Sequence, residues 1–149
     1  MNFKGQTALV VGASRGFGRG VVESLVASGM TVTAVARNRE DLEDLTRKTS
    51  AEIMVADATD EQAAKRILSE TEPNLLVLSA GTRLDLRPLH EHTWETFSRP
   101  WQVTQKSPFF GSEQRCCEPR KGRNTLLCLV VVRHFLVLRL AVVTQEPRR

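Results

Sequence analysis

The sequence predicts an α/β fold built on a doubly wound parallel sheet, truncated at about four to five strands and followed by an irregular, aberrant tail. Three observations carry this expectation. Short apolar, β-branched runs alternate with helical patterns through the first hundred residues. A glycine-rich turn joins the first such run to the first helix, and the composition changes abruptly near residue 105.

Thr7 to Val11 (TALVV) is an apolar run closed by Gly12, the pattern of a buried strand. After the turn from Gly12 to Gly18, the segment RGVVESLVASG places Val21, Val22, Leu25 and Val26 on one helical face, with Gly29 as its stop. Thr31 to Ala36 is the second strand, and Arg39 to Lys48 a short charged helix carrying Leu42 and Leu45. Glu52 to Ala56, Asp60 to Ser69 and Asn74 to Ser79 then read as strand, helix and strand. Strands separated by helices at this spacing pair in parallel through crossover connections.

The turn reads VGASRGFGRG, with glycines at 12, 16 and 18 between strand and helix. Gly12 permits a tight turn, Gly16 lets backbone approach a pyrophosphate, and Gly18 lets the helix pack close to the strand. The helix N-terminus then faces phosphate charge. This context makes the sheet Rossmann-like and the turn a dinucleotide site. The spacing G-x-x-x-G-x-G resembles that of the short-chain dehydrogenase/reductase family, T-G-x-x-x-G-x-G, with Val11 in place of the threonine. The resemblance spans about residues 5–105.

Three further places support it. An NAD site usually has an acid at the end of the second strand, where it accepts hydrogen bonds from the ribose. Ala36 stands there, followed by Arg37, which pairs with phosphate instead. Arg15 adds a second cation, and the pair matches the family's NADP-preferring pattern. In VADATD, after the third strand, the resemblance implies that Asp57 contacts adenine with Ala58 beside it, while Asp60 or Thr59 is the better helix cap. LSAG ends the fourth strand where the family has N-N-A-G. Ala80 and Gly81 match and leave room for a ribose, whereas Leu78 and Ser79 depart and weaken the expected polar contacts to neighbouring strands. The implied NADP-binding set is therefore Gly12, Ser14, Arg15, Gly16, Phe17, Gly18, Arg37, Asp57, Ala58, Ala80 and Gly81.

The resemblance also implies an NADP(H)-dependent oxidoreductase of carbonyl or alcohol substrates. In the family a tyrosine donates the proton, a lysine lowers its pKa and holds the ribose, and a serine polarises the carbonyl. The Tyr-x-x-x-Lys motif would fall near position 144, yet the chain contains no tyrosine. Thr104 stands where the family's helix asparagine is expected. No catalytic residue is therefore assigned, and the chain as written is expected to be inactive. The alternative is a non-enzymatic dinucleotide-binding or protein-interaction fragment.

Residues 1–105 carry 12 Lys and Arg against 14 Asp and Glu, while residues 106–149 carry 9 against 3. The net charge thus changes from −2 to +6, dividing an incomplete NADP-binding domain (1–105) from a basic and apolar tail (106–149). The tail's codons suggest its origin. Val143 to Arg148 can be encoded GTT ACG CAG GAG CCA AGG, which from the third base gives Tyr-Ala-Gly-Ala-Lys. In the same frame Leu129 to Val132 can give three serines, the second of them thirteen codons ahead of that tyrosine. FGSEQRCC can likewise give an amphipathic helical segment. The tail is thus expected to be an out-of-frame translation of a gene for this family.

Other readings of the tail are weaker. Residues 125–144 are mostly apolar, but Arg133 and Arg139 lie inside, each costing roughly 2.5–3.5 kcal/mol at a bilayer centre. No membrane partner is expected; the Val- and Leu-rich stretch would more readily add a strand to the sheet's open edge. Arg115 to Arg123 is basic without interleaved aromatics, so no nucleic-acid partner is expected. Cys116, Cys117 and His134 lack zinc-ligand spacing, so no metal is expected. His90 and His92 read as surface histidines in a loop. The first residues, MNFKGQTALVVG, lack the pattern of a secretory signal, so a cytoplasmic location with reduced thiols is expected. The family's oligomer-forming helices are expected to be missing, which makes folding marginal.

Overall fold

The computed structural model describes residues 5–81, 88–104, 127–130 and 141–142. Strands β1 (Thr7–Val11), β2 (Thr31–Ala36), β3 (Glu52–Val55) and β4 (Leu75–Leu78) pair in parallel in the order β3-β2-β1-β4. Two more strands follow in the same sheet. β5 (Leu127–Val130) runs parallel to β4, with Leu75 opposite Leu127 and Leu78 opposite Val130. The two-residue β6 (Ala141–Val142) is antiparallel to β5. The Val- and Leu-rich tail thus extends the sheet at its β4 edge, as its composition suggests. The remainder of the tail, including Cys116, Cys117, His134 and position 144, lies outside the described residues.

Helices α1 (Gly16–Ala27), α2 (Arg39–Lys48) and α3 (Glu61–Thr71) connect the first four strands. Alternation along the strands sends side chains to two faces. On one face Ala8, Val10, Val32, Ala34 and Val77 pack with Val22 of α1 and Leu42 and Leu45 of α2. On the other, Leu9, Val11, Val35, Leu76 and Leu78 pack with Ala64 and Ile67 of α3. Cover on both faces is why the strands read as continuous apolar runs rather than alternating ones.

The helix ends follow from their sequences. α1 closes as Gly29 takes φ +83, with Gly29 N–H donating to Val26 O (2.9 Å) and Met30 N–H to Leu25 O (3.2 Å), a Schellman ending. Asn38 caps α2 by accepting from Glu40 N–H, and Asp60 caps α3 by accepting from Gln62 and Ala63 N–H. A fourth helix, α4 (Trp94–Thr104), follows a short 3-10 turn at Leu89–Glu91. Its start is a reciprocal cap, in which Thr96 N–H donates to Thr93 Oγ1 and Thr93 N–H to Thr96 Oγ1.

Candidate dinucleotide site

The carboxyl ends of β1, β2, β3 and β4 gather the glycine turn, Arg37, Asp57 and the Ser79–Gly81 segment along one edge of the sheet. Such an edge, where the chain reverses from β1 outward to β4, is where ligands bind in doubly wound folds. Gly12 begins the turn at φ +91, held by its N–H donating to Val35 O at 2.8 Å. A Cβ there would lie 2.5 Å from Ala80 N and 2.6 Å from Ser79 C, so only glycine fits between β1 and β4. Gly18 is equally confined: a Cβ would strike Gly12 O and Ser79 Oγ. Gly16 differs, because its φ is +59 but no atom stands within 4 Å of a Cβ. The turn therefore packs tightly at two glycines and opens to solvent at the third.

Ser79 corrects one expectation. Its hydroxyl lies 3.3 Å from Val11 O and 3.2 Å from Gly12 O, and its N–H donates to Val11 O at 2.8 Å. The polar contact to β1 that a departure from asparagine was expected to weaken is made by the shorter serine. A close approach of Gly12 and Gly18 brings the backbone within its reach.

Arg15 occupies the N-cap position of α1 in extended conformation and makes no side-chain cap bond, and no acid lies in the first turn. The other two central helices are capped by their own side chains, so the N–H groups at the start of α1 keep their capacity to bind an anion. Ser14 is half-buried behind the turn, while Phe17 on the first turn is 55% exposed. Ala36 is buried and offers no acceptor at the end of β2.

Arg37 and Asp57 lie side by side, with Nη1 3.8 Å from Oδ2. Asp57 Oδ1 accepts from Thr59 N–H (2.8 Å) and Thr59 Oγ1–H (2.7 Å). These Thr59 bonds, the backbone one foremost, hold the carboxyl below the usual carboxylate range, with a smaller contribution from the Arg37 charge. Ala58 forms the turn between them. Ala80 packs against the α3 face of the core, and Gly81 beside it is exposed.

The molecule matches known proteins along most of this region. The family model described as short chain dehydrogenase matches residues 6–123. The chain belongs to the short chain dehydrogenase family. Human L-xylulose reductase is 39% identical over 105 residues, covering 69% of this chain and 43% of the relative. Pig carbonyl reductase [NADPH] 2 is 39% identical over 111 residues, covering 73% of this chain and 45% of the relative. A metagenomic short-chain oxidoreductase solved in complex with NADP is 28% identical, with a TM-score of 0.66, covering 78% of this chain and 55% of that one. The chain thus spans less than half the length of these curated relatives. The family match runs past residue 105, into the basic segment.

Other candidates take structural places. His90 is exposed, 3.8 Å from Glu91. His92 is half-buried, its Nδ1 3.2 Å from Thr96 Oγ1 and its ring edge-on to Phe97, so it belongs to the start of α4 rather than to open surface. A hollow of about 710 Å³ lies at the opposite, amino ends of the strands, lined by Thr7, Thr31, Thr33, Glu52, Glu70 and Thr71 among others. Its carboxylates and hydroxyls do not suit a phosphate ligand. Among the described residues no cluster could hold a metal, and no helix is long and apolar enough to cross a membrane.

Proposed function

We propose that residues 1–105 are the NADP(H)-binding part of a short chain reductase acting on carbonyl or alcohol substrates, and that this 149-residue chain lacks its catalytic set. One observation carries the cofactor assignment. α1 begins without a side-chain cap or acid, beneath the open space at Gly16; at the end of β2, where an acid would select NAD, Ala36 is followed by the cation Arg37, and Arg15 adds a second cation at the start of α1.

The residues present fit the group. Gly12 and Gly18 hold the turn against β4, the α1 N–H groups bind pyrophosphate, and Arg15 and Arg37 hold the 2′-phosphate. Asp57 and Ala58 border the adenine, and Ala80 and Gly81 leave room for the ribose. Ser14 and Phe17 complete the set. Bound, the dinucleotide supplies the hydride. No residue of the chain is assigned to the proton, because it has no tyrosine. The relatives' names, a carbonyl reductase and an L-xylulose reductase, support a carbonyl substrate. A cytoplasmic location accords with that reading.

Calorimetric titration with NADPH and NADH tests the cofactor. Tighter binding of NADPH is expected, and equal affinities defeat the preference. Incubation with NADPH and a panel of ketones and aldehydes should give no turnover; rates like those of intact reductases would refute the empty site.

The second reading is a non-enzymatic dinucleotide-binding or interaction fragment with its own role, using residues 106–149 as a partner contact. The exposed rings of Trp94 and Phe97 on α4, just ahead of that tail, favour an interaction role. The coding DNA separates the two. Codons that give Tyr-x-x-x-Lys and the upstream serine in the alternative frame support a frame change near residue 106; incompatible codons remove it.

A further inference from the structure

Arg37 directly follows β2, and Asp57 lies two residues beyond β3. The register setting Ala36 opposite Val55, extended by Ala56 N–H donating to Ala36 O at 3.0 Å, brings them together at the sheet edge. Asp57 is the fixed member. Its Oδ1 is held by the N–H and the hydroxyl of Thr59, which leaves Oδ2 turned to Arg37 at 3.8 Å. Arg37 is the free member, with a side chain 71% exposed. Arg15, by contrast, has no ion-pair partner among the described residues.

We infer that Asp57 is a built-in counter-anion of Arg37, competing with a dinucleotide's 2′-phosphate for the same guanidinium and so limiting the preference for phosphorylated over unphosphorylated dinucleotide. This rests on the reading that the edge binds NADP(H). A phosphate that reaches Arg37 meets a cation already partly neutralised, and it stands near a carboxylate that cannot swing away. NADH lacks that phosphate and is not penalised. An adenine contact by Asp57, which the family resemblance implies, acts on both dinucleotides alike. The two roles are therefore separable by a ratio.

The test uses the full chain and its Asp57→Asn variant, titrated with NADPH and NADH at low ionic strength. Asparagine keeps an oxygen for the Thr59 bonds and puts a neutral amide group in place of the charged Oδ2 that faces Arg37. The ratio of NADH to NADPH dissociation constants should rise about two- to fivefold, the scale of one exposed charge pair. The rise should shrink with added salt and vanish in an Arg37→Met background. Asp57→Ser, which also removes the charge, serves should the first variant fold poorly. Equal losses of both affinities assign Asp57 to the adenosine alone and overturn the inference. A falling ratio overturns it as well, because Asp57 then positions Arg37 for the phosphate. If the unmodified chain binds neither dinucleotide, the reading of the site itself fails before any ratio is measured, and the inference falls with it.

Discussion

The hydroxyl of Ser79 lies 3.2 Å from the carbonyl oxygen of Gly12, tying the end of β4 to the glycine turn between β1 and α1. One hydroxyl proton serves two acceptors, since Val11 O is 3.3 Å away. Ser79→Ala removes that bond and leaves Gly12 O without its side-chain donor. The expected loss is about 0.5–1.5 kcal/mol, read as a lower urea midpoint, with a weaker affinity for NADPH if the turn loosens.

The three turn glycines should respond differently to alanine. At Gly12 a methyl group meets backbone of β4 at a φ of +91, so neither strand can yield and the variant is expected not to fold. Gly18→Ala must lift α1 from Gly12 O, and removing the Ser79 hydroxyl as well does not relieve that clash. Gly16→Ala meets nothing, and its φ of +59 costs about 1 kcal/mol. It should fold yet bind NADPH poorly, because the methyl would fill the open space in which the proposed pyrophosphate would lie. Circular dichroism and nucleotide titration separate the three.

Much of the fold was legible because its signals are local. The runs Thr7–Val11 and Thr31–Ala36 and the helix Arg39–Lys48 appear with the bounds their composition suggests, and the other early elements differ by a few residues at their ends. α1 starts at Gly16, inside what reads as turn, because glycine hides a helical residue from any periodicity argument. Apart from the family's helix position at Thr104, α4 carries no periodic signal, for another reason. Pro100 interrupts its pattern and lacks the N–H an interior helical residue contributes, while the Thr93–Thr96 cap that starts it is visible only in three dimensions. The bond from Ser79 was equally hidden, since it depends on how closely two glycines let β1 and β4 approach. That Arg37 directly follows β2 could be read from the strand's end; its pairing with Asp57 could not.

Acid should weaken the fold through its carboxylates. Asp44 accepts a hydrogen bond from Arg19 Nη2 at 2.6 Å, joining α2 to α1, and that bond foremost, with the charge of Lys48, lowers its pKa. Asp57 and Glu61 are also lowered, by Thr59 and Lys65 respectively. A carboxyl whose folded pKa lies below its unfolded one contributes stability above the unfolded value and loses it as pH falls through the folded one. The urea midpoint should therefore hold from neutrality to mild acid and drop below roughly pH 4. In Asp44→Asn the neutral midpoint should start lower and the acid decline be shallower. A decline of unchanged steepness removes Asp44 from the account.

Trp94 is 79% exposed and Phe97 55%, with ring centroids 6.1 Å apart on the first turn of α4. The two rings cover little of each other, so the patch faces water and should drive self-association rather than hold the fold. Trp94→Ser is expected to change stability by less than about 0.5 kcal/mol, since no core neighbour loses contact. Light scattering on warming should nevertheless start at a higher temperature in the variant than in the parent chain. A large fall in the urea midpoint would instead show that the Trp94 ring is packed in solution, and that α4 is covered where the fold leaves it open.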